Sequence, residues 1–215
     1  MNPSFDPACR ACPRLARFLA EVRQAHPHYH AAPVPAFGDD APRLLIIGLA
    51  PGMHGANRTG RPFTGDYAGI LLFRTLFELG LSNQPEATSI DDKLVLHGVR
   101  ITNAVKCLPP QNKPNAAEVR RCNPYLRGEI HSLPISCRLL ALGRIAHEAV
   151  LRAYALPLTH HRFVHGARHQ LPDGRLLFDS YHCSRYNTQT GRLSPAMFRE
   201  VIRQALNPLS SSTRP

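Results

Sequence analysis

Leu44-Leu45-Ile46-Ile47 runs straight into GLAPGMHGANRTGRPFTGD, Gly48 to Asp66, and this junction decides the fold. An apolar run opening into a Gly/Pro-rich loop reads as a buried strand that delivers polar groups to the carboxyl edge of a sheet. The loop carries His54, Asn57, Arg58, Thr59, Arg61, Phe63, Thr64 and Asp66 among closely spaced glycines. Glycine lets a ligand come close to the backbone, so such a loop points to binding rather than to a plain surface turn.

Outward from that junction, strand and helix patterns alternate. Leu15, Phe18, Leu19 and Val22 stand at helical spacing and predict a helix over 13–25, followed by a Pro- and His-rich loop over 26–40. Strands are expected at 44–49, 99–105, 138–142 and 176–181, the last after the turn Pro172-Asp173-Gly174. Helices are expected at 69–81, 116–130 (carrying Cys122), 144–154 and 195–206. This alternation predicts an α/β protein: a single three-layer α/β/α domain over 1–209 with a mostly parallel four-stranded central sheet, and a frayed tail at 210–215. Its active site is then expected outside the carboxyl ends of the strands.

The chain has 215 residues, enough for one sizeable core. Lys and Arg number 26 against 15 Asp and Glu, a net charge of +11. That excess suits a polyanion such as DNA, RNA or an anionic membrane surface. No apolar run approaches the roughly 20 residues of a membrane span.

Cys9 and Cys12 form a Cys-x2-Cys pair, and Cys107 and Cys122 form a remote second pair. Four such thiolates can close around one metal centre, as zinc or as an iron–sulfur cluster, and spacing alone does not choose between them. A disulfide framework is disfavoured by the absence of a recognisable secretory signal and by a chain long enough to build its own core. Unmodified thiolates favour a reducing cytoplasm. Cys137 heads the apolar run 139–142 and reads as core, and Cys183 has no close cysteine neighbour.

Three tracts carry a family resemblance. The loop 48–66, the tract ITNAVKCLPPQNKP (101–114) and the tract HCSRYNTQTGRL (182–193), with the four cysteines in order, resemble the iron–sulfur uracil-DNA glycosylases, most closely their family 5, or type B, branch. The resemblance spans Cys9 to about Phe198. Many relatives carry an acidic or amide residue just after the strand's glycine; this chain reads Gly48-Leu49-Ala50, which points to the family 5 branch and removes the usual base. The resemblance implies a monofunctional glycosylase that hydrolyses uracil, and other deaminated bases, from DNA, with a [4Fe–4S] cluster on Cys9, Cys12, Cys107 and Cys122 and zinc as the alternative. It implies a cytoplasmic, nucleoid-associated enzyme; no protein partner is inferable.

The chemistry assigns expected roles. A base must leave the stack for a pocket, where a flat ring replaces its lost stacking, a polar group reads its edge and a donor stabilises the departing anion. Phe63 is the candidate stacking ring, with plain core residue as its alternative. Asn103, at a strand end, is the candidate reader of the uracil edge, with turn former as its alternative. His182 is the candidate donor to the uracil O2, neutral or protonated. Asp66 is the candidate carboxylate for water or the cationic sugar, and its alternative is the N-cap of the helix beginning near Tyr67. Gly48, Ala50, Pro51, Gly52 and His54 are expected to line the pocket, with a structural hydrogen bond from its ring as the alternative for His54. Arg58, Arg61, Ser184, Arg185, Tyr186, Asn187 and Arg192 are expected on DNA, with Arg185 and Tyr186 as the wedge that fills the vacated stack. Cys183 departs from the His-Pro-Ser pattern usual in the family, so the loop loses a rigid proline. A non-catalytic nucleic-acid-binding module with a structural zinc site is the competing function; nothing in a pure binder requires Phe63, Asn103 and His182 to converge.

Overall fold

The computed structural model describes residues 5–207, so the expected tail at 210–215 lies outside the described residues. In chain order its elements are α1 (Pro13–Ala25), β1 (Phe37–Gly38), β2 (Leu44–Gly48), α2 (Ala56–Thr59), α3 (Tyr67–Glu78), β3 (Val99–Asn103), α4 (Ala116–Ser132), β4 (Arg138–Leu142), α5 (Arg144–Ala153), β5 (Arg168–Gln170), β6 (Leu176–Ser180), α6 (Arg185–Gln189) and α7 (Pro195–Leu206). A short 3-10 turn spans Pro110–Asn112.

The sheet has six strands in the order β1-β3-β2-β4-β6-β5. The four strands expected from sequence form its parallel centre, but the sheet is mixed, because β1 and β5 pair antiparallel at its two edges. This corrects the four-stranded expectation. β1 has only two residues, and β5 is Arg-His-Gln with both ends exposed, so neither leaves an apolar or alternating signal. α2 and α6 are single turns inside expected loops and were invisible to helical periodicity for the same reason.

The central strands are apolar along most of their length because helices cover both faces. Alternation divides their side chains between two cores. Leu45, Ile47, Leu139, Ala141 and Leu177 face one core with Leu15, Leu19 and Val22 of α1, Leu126 and Ile130 of α4, and Val150 of α5. Leu44, Ile46, Leu140, Leu142 and Phe178 face the other, with Leu72, Phe73 and Leu76 of α3 and Phe198 and Ile202 of α7.

The chain steps from β2 to β3 on one side, then returns across β2 to β4 on the other. The strand order therefore reverses at β2, and a crevice opens at the carboxyl ends there, where open α/β sheets take their ligands. Gly48 pairs with Asn103 at this edge.

Candidate active site

A pocket of ≈ 420 Å³ sits at that edge, lined by Leu49, Ala50, Gly52, Phe63, Asp66, Tyr67, Ala68, Asn103, Asn112, His182, Ser184 and Arg185. Phe63, Asn103, Asp66 and His182, which are far apart in sequence, thus meet in one cavity. Leu49, Tyr67, Ala68 and Asn112 were not singled out from sequence. Leu49 and Asn112 lie inside tracts already read as functional; Tyr67 and Ala68 are ordinary first-turn helix residues with no sequence signal.

Gly48 makes the meeting possible. A Cβ there would stand 2.4 Å from Asn103 Oδ1 and 2.6 Å from the Phe63 ring. Only hydrogen lets both close over the strand end. Phe63 holds a left-handed backbone (φ 60°), an uncommon state for a bulky residue that costs on the order of 1–3 kcal/mol and persists only where its surroundings enforce it. Phe63 is both core and pocket wall: it is 5% exposed and packs in the α3–α7 core while its ring faces His182, with centroids 6.1 Å apart and planes 24° from parallel.

Arg61 enforces that turn. It is 2% exposed, its Nε donates to Thr64 Oγ1 at 2.7 Å, and its Nη2 donates to Ser89 O and Asp92 Oδ2, both at 2.6 Å. A buried, fully engaged guanidinium cannot reach a DNA phosphate, so the expectation that Arg61 contacts DNA is corrected. It pins the loop that presents Phe63, in a buried ion pair with Asp92 that is costly to break from one side. Asp92 lies 31 positions away, so sequence gave no hint of the pair.

Asp66 occupies the N-cap position of α3 but makes no side-chain cap bond to that helix. Its Oδ2 instead accepts from the Ala56 amide at 3.0 Å, at the start of α2. The carboxylate presses so closely on Gly52 and Gly55 that a Cβ on either would lie 2.2 and 2.0 Å from Oδ1. Burial raises its pKa above the ordinary carboxylate value, while the Ala56 and Gly52 amides and Arg58 pull it back. Burial pushes His182 down to about 4, so its ring is neutral at physiological pH. Asn187 Nδ2 donates to the His182 carbonyl at 2.8 Å and fixes the loop.

The remaining candidates divide. Gly52 and Ala50 line the pocket, whereas Gly48 and Pro51, also expected there, are not among its lining residues. His54 is exposed and outside the pocket lining; its Nδ1 is 2.9 Å from the Tyr29 hydroxyl, and it packs edge-on to His26 and Tyr29. Arg58 is exposed beside Asp66, its Nε donating to His54 O at 2.6 Å. Ser184 caps α6 through Asn187 N. Arg185 lies over the Tyr67 ring at 5.5 Å, and Tyr186 is 70% exposed beside it. The Arg192 guanidinium sits 4.4 Å from the Tyr181 ring centre.

Cys9, Cys12, Cys107 and Cys122 line a second, small cavity with Leu15, Lys106, Arg121 and Tyr125, whereas Cys137 and Cys183 are buried elsewhere. Arg14 ties the Cys-x2-Cys segment to α4 by a bidentate pair with Glu118 (2.7 and 2.8 Å), itself part of the Asn115–Glu118 capping box. The Lys106 amide donates to Cys122 Sγ at 3.3 Å. Burial pushes Cys107 up to about 12 and Cys122 to about 11. A metal centre's positive charge offsets such a penalty, and a four-thiol set fits either zinc or an iron–sulfur centre. Tetrahedral zinc, with Zn–S bonds of about 2.3 Å, draws its sulfurs close together. Among the described residues, the group of three ligand atoms gathered within 4.8 Å is His147, His169 and Asp179, not any three of these sulfurs.

Comparison with known proteins agrees with this geometry. The family model of the uracil DNA glycosylase superfamily matches residues 35–206. The chain is 51% identical over 204 residues to the type-5 uracil-DNA glycosylase of Thermus thermophilus, covering 92% of each protein. It is 43% identical over 205 residues to that of Mycobacterium leprae (92% of this chain, 90% of the relative) and 42% identical over 201 residues to that of Pyrobaculum aerophilum (92% and 87%). The chain belongs to the uracil DNA glycosylase superfamily, within the branch of its type-5 relatives.

Proposed function

We propose that this enzyme extrudes uracil from DNA into the ≈ 420 Å³ pocket and hydrolyses its N-glycosidic bond, leaving an abasic site. One observation carries the reading: Phe63, Asn103, Asp66 and His182 converge at the sheet edge where the strand order reverses. A nucleic-acid-binding module has no use for that convergence.

The roles follow from the chemistry of each group. Phe63 offers a flat face to the flipped base, and the Asn103 amide reads its edge. The C1′–N1 bond breaks with its electron pair leaving on the pyrimidine, where negative charge builds at O2. The neutral His182 donates a ring N–H to that oxygen, as a preorganised oxyanion donor. Water adds to C1′ opposite the departing base, and Asp66, ionised, stabilises the cationic sugar and takes the proton that water sheds. Ala50 and Gly52 shape the floor, and Gly48 leaves room for Asn103 and Phe63 to meet over the strand end. Arg185 and Tyr186, projecting from α6, fill the vacated stack, while Ser184 and Asn187 hold their loop. Arg58 and Arg192, both exposed, contact phosphates.

Cys9, Cys12, Cys107 and Cys122 hold a [4Fe–4S] cluster in a structural role. Their shared cavity and sulfurs spread beyond zinc-like proximity support this over zinc. No described helix is long and apolar enough to cross a membrane. The substrate is DNA carrying uracil or other deaminated bases, met on the chromosome in the cytoplasm, and residues 1–209 act as one catalytic domain.

The test is excision on duplexes carrying uracil, hypoxanthine or xanthine at one defined site. Release of free uracil with an alkali-labile abasic site is expected. Tight binding without base release at any lesion would establish the binding-module reading instead.

A further inference from the structure

A second, larger groove of ≈ 820 Å³ lies beside the pocket, lined by Arg144, Arg162, Arg192, Thr159, His161 and Phe163, among others. Of its lining residues only Arg192 has a role in the proposed mechanism. Three arginines face it against one carboxylate, Glu148, which pairs with Arg144 at 2.8 Å.

The relation of the two cavities is set by the segment that leaves β6. Its side chains divide between the two cavities. His182 lines the base pocket. Tyr181, one position earlier, turns to the other side, where Arg192 lies 4.4 Å over its ring, His165 stacks on it at 4.9 Å and Phe163 lies at 6.2 Å. The same segment continues into Ser184, Arg185 and Tyr186, the wedge. The backbone of Gly143, at the entrance to α5 and next to Arg144, runs close behind His182: a Cβ on Gly143 would lie 3.4 Å from that of His182. The segment that gives His182 to the pocket thus packs, through Tyr181, on Phe163 and Arg192 of the basic groove.

Resting on the glycosylase reading, we propose that this groove receives the strand opposite the lesion, with Arg144 and Arg162 on its phosphates. When a wedge enters a duplex and one nucleotide swings into a pocket on one side of it, the strand that paired with that nucleotide remains on the other side. The groove carries the required charge, and its Phe163 and Arg192 pack on Tyr181, at the start of the segment that leads to the wedge. Arg144 and Arg162 are exposed and keep the reach to meet phosphates. Arg144's bond to Glu148 is a surface pair, worth little and readily exchanged for a phosphate.

The experiment compares single-stranded and double-stranded oligonucleotides carrying one uracil. The variant is Arg144→Gln/Arg162→Gln, whose changes are exposed and leave the core untouched; Arg58→Gln, beside Asp66 on the pocket side, is the contrast. The double variant is expected to bind duplex about tenfold more weakly, with its log K against log salt slope reduced by about 2, since each phosphate contributes about 0.9. Its affinity for single strands, and its excision rate from them, stay at the wild-type value. Arg58→Gln weakens both substrates alike. Equal losses on single and double strands in the double variant would overturn the proposal and assign the groove to the lesion strand. Unchanged duplex binding would also overturn it. In both cases excision from single strands still reports that the glycosylase reading stands, so the two failures are distinct.

Discussion

In the proposed mechanism His182 acts as a neutral donor and Asp66 as a charged carboxylate. Burial holds His182 down at about 4 and holds Asp66 above the ordinary carboxylate value. An Asp66 that reacts ionised is expected to give single-turnover excision an acid limb, the rate rising with pH through its raised pKa. Asp66→Asn keeps one acceptor oxygen for the Ala56 amide but loses the charge, so a rate loss on the order of 10²–10⁴-fold and a flattened limb are expected, with the protein folded. His182→Ala is expected to lower the rate at every pH by about 10²–10³-fold, leaving the limb where it was. A limb near 6.5 that disappears in His182→Ala would mean that the imidazole reacts as a cation. Gly48→Ala tests the packing beneath them. Its methyl displaces Asn103 and Phe63, and a misplacement of about 1 Å costs about 10²-fold in rate. These four groups were legible in the sequence because each follows a strand or sits in a glycine-rich loop. Arg61 was misread because loop arginines in a basic protein look like phosphate ligands; only the folded chain brings Ser89 and Asp92 to it.

Among elements, the parallel strands and long helices could be read because two-sided burial leaves continuous apolar runs and amphipathic helices leave a 3.6-residue period. Edge strands of two or three residues, and helices of one turn, fall below either signal. The cysteine site illustrates an intermediate case: spacing singled out four cysteines that line one cavity, while the way α1 is fastened to α4 by Arg14 and Glu118 emerged from the fold. α1 is also held by Leu15, Phe18, Leu19 and Val22 and by Arg23, which donates to Ala31 O at 2.6 Å, and the metal centre is expected to staple its N-terminal end in place. Replacing Cys9, Cys12, Cys107 or Cys122 by Ala should bleach a brown protein and lower its melting temperature. Cys137→Ala and Cys183→Ala should keep the colour, since both lie away from that cavity. Stoichiometric zinc without iron in protein purified without air would refute the cluster.

Charge acts over the whole molecule, and acidification sharpens it. The chain starts from +11 at neutral pH and holds twelve histidines. His161, His165 and His182 are held below their ordinary value by burial, so the unfolded chain takes up protons first; stability falls as pH drops from about 6.5 through their lowered values. His147 runs the other way. Asp179, at 2.8 Å, raises it despite burial, and its stabilisation is present below about 6.5 and lost as pH rises through the raised value. Three groups against one, together with growing self-repulsion, predict a melting temperature that falls between pH 7 and pH 5. Salt then separates the two consequences of the charge. At pH 5–6, raising salt from about 50 to 200 mM screens the protein's repulsion of itself and should raise the melting temperature of the free enzyme. The same change releases the advantage of counterion displacement and should weaken duplex binding, with a log–log slope of about −0.9 for each phosphate neutralised. Opposite movements of stability and affinity are the signature of a surface charged for a polyanion. If salt left affinity flat while raising stability, the positive charge would serve something other than DNA.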